Sequence, residues 1–124
     1  MNSWESEYVK FDIKDGIIYC KYKAFQTFNL KIAQQVVEDR LYFQGERILP
    51  AFCDIRKMVF PDEQARHYLA IHGSLGLKAV AYFISKDSER SLIQFFIKVN
   101  KPLIPTKVFS EQDEALDFLK LFKR

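Results

Sequence analysis

The stretch Lys78-Ala-Val-Ala-Tyr-Phe-Ile84 is aliphatic or aromatic at every position after its lysine. A strand with one wet face alternates apolar and polar residues; this one does not, so it must be covered on both faces. Such strands belong to parallel sheets, and parallel neighbours need long crossovers, usually helical. That one stretch therefore predicts an α/β architecture, with itself at or near the centre of the sheet.

The remaining elements fit that frame. Val9, Phe11 and Ile13 alternate with Tyr8, Lys10 and Asp12, the period of a half-buried strand. Asp15-Gly16 accepts the positive φ of a tight hairpin turn, and Ile17 to Lys23 returns as the second strand. A helix runs from Asn29, a good N-cap, to Gln44, with Gly45 to end it. Its apolar stripe is Ala33, Val36, Val37 and Leu41, and Lys31, Gln34, Gln35 and Glu38 face water. Its end, Leu41-Tyr-Phe-Gln-Gly45, looks like the site of a common tag-removing protease, but it continues the helical pattern and is read as part of the fold.

The third strand starts at Pro50, which cannot donate to a ladder, and ends in Asp54 and Arg56. The next helix has Pro61 in its first turn and Asp62 and Glu63 near its positive end, and runs to about His72, with Gly73 as the stop. After the apolar strand, Ser85 and Asp87 are candidate caps for a helix that carries the apolar residues Leu92, Ile93, Phe96 and Val99 and is broken at Asn100-Lys-Pro102. Ile104 to Phe109 is a strand that Pro105 consigns to an edge. Ser110 is the expected cap of the last helix, where Ala115, Leu119 and Phe122 face the core. The predicted order is β-β-α-β-α-β-α-β-α: a mixed, mainly parallel five-stranded sheet with four helices, in one domain over residues 1–124.

Composition narrows the function classes. At 48% hydrophobic and 15% aromatic the chain has the material of a packed core. Twelve phenylalanines are more than a core this size needs, which points to an aromatic binding or subunit surface and to a homodimer. A net charge of +3 is too small for a nucleic-acid partner. Tyr19, Lys21, Tyr22, Lys23 and Phe25 interleave rings and ammonium groups; an amphipathic strand with a lysine-protected edge accounts for them better than a stacking platform. The polar, acidic start lacks the pattern of a secretory signal, and no apolar run reaches the roughly 20 residues of a membrane span, so a cytoplasmic protein without membrane insertion is expected. Cys20 and Cys53 read as reduced core thiols. His67 and His72, five apart, lie roughly 140° around a helix and do not form a metal pair. No metal, cofactor or catalytic set is expected.

With this order the chain resembles the STAS-like (SpoIIAA-like) group, the fold of bacterial anti-sigma-factor antagonists and small lipid-carrier relatives, and more narrowly a set of uncharacterised bacterial single-domain proteins. The residues carrying the resemblance are Asp15-Gly-Ile-Ile18, Pro50-Ala-Phe-Cys-Asp-Ile-Arg56, Leu77-Lys-Ala-Val-Ala-Tyr-Phe83 and the stretch from Lys101 to Leu116. It implies a non-enzymatic interaction domain. Antagonists of the group start the helix after the third strand with an Asp-Ser-Ser-Gly-like turn whose second serine is phosphorylated. Pro61-Asp-Glu-Gln64 stands there instead, and no hydroxyl lies between Arg56 and Tyr68, so the phosphoswitch does not carry over.

A protein partner is therefore expected at the loop and helix after Asp54, on Asp54, Arg56, Asp62, Glu63 and Arg66. Asp54 and Arg56 are expected on opposite faces of their strand, not as a close pair. In that reading Asp54 shapes the loop and Arg56 meets an anionic group, whereas the plainer alternative leaves Asp54 structural and Arg56 solvated. The other function is a carrier of a small hydrophobic or lipid-like ligand, in a cleft lined by Phe60, Leu75 and Phe96.

Overall fold

The computed structural model describes residues 2–123. Its strands are β1 (Ser3–Glu5), β2 (Val9–Lys14), β3 (Ile17–Tyr22), β4 (Leu49–Asp54), β5 (Leu77–Phe83) and β6 (Thr106–Phe109). The helices are α1 (Leu30–Gln44), α2 (Glu63–Ile71), α3 (Asp87–Phe95) and α4 (Gln112–Lys120). A 3₁₀ turn, His72–Ser74, follows α2, and a π-helical turn, Phe96–Asn100, prolongs α3.

The strands form one sheet in the order β1-β2-β3-β4-β5-β6. β1–β2 and β2–β3 are antiparallel; β3 to β6 run parallel. The hairpin closes at Lys14 opposite Ile17, and Asp15 and Gly16 both take positive φ, as the turn requires. The sheet has six strands where five were expected. The extra one, β1, is too short and polar to show a period, and Trp4 anchors it by packing on Phe11 and Tyr42 with ring centroids 6.1 and 5.4 Å away.

The order never reverses, and this decides where the helices go. Right-handed crossovers that always step in the same direction place α1, α2 and α3 on the same face. There Ala33, Val36 and Phe43 of α1, Ala65 of α2 and Ile93 beyond β5 pack on Val9, Phe11, Ile18, Cys20, Ala51, Cys53 and Val80. α4 follows the last strand, free of that constraint, and covers the opposite face at Ile17, Phe52, Ala79 and Ala81 with Ala115 and Leu119. The alanines, all fully buried, let α4 lie close to the sheet.

Several boundaries differ from expectation. β4 begins at Leu49, and Pro50 sits where its register against β5 shifts, a place where a missing N–H is tolerated. Asp62 is the N-cap of α2, accepting from the Ala65 N–H at 2.9 Å, so Pro61 lies just outside the helix. Gly73 falls inside the 3₁₀ turn. Neither Ser85 nor Asp87 caps α3; the Glu89 carboxylate reaches back to the Ser85 and Lys86 N–H groups at 2.9 and 3.1 Å. Ser110 does not cap α4, whose N-cap position is Glu111. The buried side of α1 extends past Val37 to Arg40, Phe43 and Gln44, while Leu41 is only half-buried. Along α3 and its π-helical extension, Leu92 and Val99 are exposed and Ile93 and Phe96 form the buried side.

Candidate functional site

At the carboxyl end of β4, Asp54 and Arg56 make a two-pronged pair. Asp54 Oδ1 accepts from Arg56 Nε at 2.9 Å and from the Arg56 backbone N–H at 3.2 Å, and Oδ2 accepts from Nη2 at 2.8 Å. The expectation of opposite faces is overturned: residues two apart along a strand share a face, and β4 ends at Asp54, leaving Arg56 in a turn that folds back on it. Partial burial raises the Asp54 carboxyl, but the hydrogen bonds from the Arg56 side chain and backbone outweigh it and hold the group below its ordinary value. The guanidinium also lies 4.7 Å over the Phe83 ring. Arg56 is thus already occupied by a carboxylate and a ring.

This pair borders the half of the sheet that α4 leaves open. Tyr19, Phe52 and Phe83 form a row of rings across β3, β4 and β5, with centroids 5.4 and 5.6 Å apart, and Lys14 lies over Tyr19. A groove of about 640 Å³ runs along it, lined by Asp12, Lys14, Tyr19, Lys21 and Asp54 among others. Burial and the nearby Asp15 charge push the Tyr19 hydroxyl up.

Asp62, Glu63 and Arg66 lie elsewhere, at the start of α2 on the helix-covered side. Asp62 is spent on its cap. Arg66 donates from Nη1 to the Pro61 carbonyl at 2.8 Å, and its guanidinium is held between the Phe60 and Phe95 rings, 5.1 and 5.3 Å from their centroids. Phe95 begins an apolar surface. Leu92, Phe95 and Val99 are 46%, 46% and 55% exposed, and their spacing of three and four residues puts them in one stripe on the outside of α3. Ile71 and Leu103 are exposed nearby, since the Leu103 N–H donates to Ala70 at the end of α2. The five expected partner residues are therefore split into two groups on opposite faces, and the stripe that accompanies Arg66 includes Phe95, which the sequence reading does not single out. The signal was present: four apolar positions in one short helix are more than a single buried side can take.

The expected ligand cleft does not converge either. Phe60 and Phe96 border a cavity of about 30 Å³, while Leu75 is exposed past the 3₁₀ turn, where its carbonyl accepts from Arg40. His72 stacks on Tyr68 at 4.4 Å, and no group of three or more metal-ligating side chains occurs among the described residues.

A family model described as a domain of unknown function, DUF7793, matches residues 11–123. The chain belongs to this family. The fold of this DUF7793 member is similar to the crystal structure of an uncharacterized protein from the DUF3478 family with a SpoIIAA-like fold, from Shewanella loihica PV-4. The two agree with a TM-score of 0.60 at 15% identity, over 90% of this chain and 91% of that one. The architecture is SpoIIAA-like, as the sequence resemblance implied, with one more strand than expected. No curated protein is detectably similar to the chain. Among the described residues no helix is long and apolar enough to cross a membrane.

Proposed function

We propose that this is a non-enzymatic, cytoplasmic protein-interaction domain whose partner docks on the α2–α3 surface. The observation that carries the reading is the exposed Leu92–Phe95–Val99 stripe beside Arg66. Exposed apolar residues grouped on one surface mark interaction sites in soluble proteins. A guanidinium already held against two rings is an anchor that loses little freedom on binding. Asp62 beside it is committed to capping α2, and Asp54, on the other face, holds Arg56. A carrier function draws no support from a 30 Å³ cavity, which has room for about one water.

Docking here is constitutive, because the helix start carries fixed carboxylates and no hydroxyl to modify. The test is affinity capture with cross-linking from the organism's own cells, using the wild type and Phe95→Asp. The wild type should recover a partner, or a second copy, cross-linked next to α3; the variant should lose it while its thermal midpoint stays within a few degrees. Recovery of the same proteins by Phe95→Asp, or cross-links confined to the open groove, would overturn the assignment. Intact-mass analysis of the native protein should show no phosphate on residues 57–67.

A further inference from the structure

Under α1, a side-chain cluster unrelated to the docking surface surrounds a cavity of about 40 Å³. Its polar lining is Arg40, Cys20, Cys53, Tyr22 and Tyr82. Cys20 and Cys53 are directly opposed on β3 and β4, and both thiols are buried and free. Arg40 is only 5% exposed. Its Nη1 donates to Gln44 Oε1 at 2.7 Å, and its Nη2 to the carbonyls of Gly73 and Leu75 at 3.1 and 2.9 Å. Among the described residues no carboxylate is within ion-pair reach of it.

A buried guanidinium is normally paired, because removing a charge from water costs several kcal/mol unless an opposite charge compensates it. Carbonyl and amide oxygens satisfy N–H groups but bring no net negative charge. The other polar side chains on the cavity wall can all donate a proton: two phenols and two thiols. Burial pushes both phenols and the Cys53 thiol up, so they stay protonated and do not serve as the missing counter-charge. The Arg40 charge acts on each of those three groups in turn, which places them within its field. A water in this cavity could bond to the phenols, which accept as well as donate, but it would leave the Arg40 charge uncompensated, whereas an anion takes the donors and compensates the charge.

We propose that the Arg40 cavity binds one halide-sized inorganic anion, chloride under physiological conditions, as a buried structural ligand. The volume fits a single such ion or one water, and excludes oxyanions such as phosphate with their hydration. Its apolar walls, Val36, Val37, Leu69 and Val80, keep the site dry and strengthen the attraction.

The test uses the intact protein with bromide as the probe. At constant ionic strength, with gluconate as the replaced anion, chloride and bromide should raise the thermal midpoint in a saturable way. A bromide-soaked crystal should show an anomalous peak inside the cavity, next to Arg40. Tyr82→Phe keeps the ring and removes one donor, so half-saturation should need about tenfold more bromide, the loss of one hydrogen bond to a charged group. Arg40→Met should abolish the dependence, and where that variant does not fold, Tyr82→Phe and the anomalous map decide. A midpoint that follows ionic strength whatever the anion, a cavity without an anomalous peak, or an unchanged bromide dependence in Tyr82→Phe would each overturn the proposal. A peak without saturable stabilisation would mean an adventitious ion only, and would overturn it as well.

Discussion

The two faces of this sheet are built by different rules. One carries three connecting helices, and its contacts are large: Phe11 stacks between Trp4 and Phe43, with centroids 6.1 and 5.8 Å away. The other carries a single terminal helix seated on small residues, Ala79 and Ala81 against Ala115, which reaches only as far as Ile17 of β3 and leaves β1 and β2 uncovered. In doubly wound sheets a ligand crevice opens where the strand order reverses. Here it never does, and the space a second set of helices would occupy remains as an open groove. The lesson is that the carboxyl end of a parallel strand is not enough to locate a site; the topology must also turn there.

Substitutions can break or sharpen this contrast. The largest effect is expected for Phe11→Ala on the covered face, at about 3–5 kcal/mol by denaturant unfolding, because it removes a fully buried ring from a stack. The matched change on the open face, Tyr19→Ala, should cost about 1 kcal/mol, the scale of a half-exposed aromatic contact. Equal losses would mean the two faces contribute alike.

The next largest tests the close seat of α4. Ala81→Leu inserts three carbons where the existing side chain has no exposure, and should cost about 1–3 kcal/mol. Hydrogen exchange should show α4 amides loosening more than those of α1. Unchanged exchange in α4 would show that the helix tolerates a larger residue beneath it.

The smallest concerns the Asp54–Arg56 pair at the rim of the groove. Arg56→Ala should cost about 0.5–1 kcal/mol near neutral pH, a figure kept low because the pair is partly exposed. Asp54 has a depressed carboxyl pKa, so the stabilisation is complete above the ordinary carboxylate value, about 3.9, and fades as pH falls through the lower folded value. Unfolding curves of wild type and variant should therefore converge in acid below the ordinary carboxylate range. A difference that persists there would assign Arg56 a packing role on Phe83 instead.

Much of the architecture was legible because local chemistry and global fold agreed. Asp15-Gly16 could only be a turn, Asn29 and Gly45 bracket α1 as expected, and the apolar Ala79–Ile84 run demanded cover on both sides. What the sequence does not reveal depends on partners distant in it. Arg40 and Gln44 look like a solvated helix surface until the loop carbonyls of Gly73, Leu75 and Gly76 are brought to them. The outer stripe of α3 was hidden because Leu92 and Val99 are as apolar as the core residues between them. Three residues of β1 hold too little pattern to be read without the hairpin they join.

The unbroken order of the strands also bears on how the chain reaches its native state. Each strand pairs with the one made just before it, so the longest loop any pairing must close is a single helical crossover. Rates of folding fall as contacts span more sequence. A sheet written in sequence order can grow by accretion from the hairpin outward, in the direction in which a ribosome delivers it.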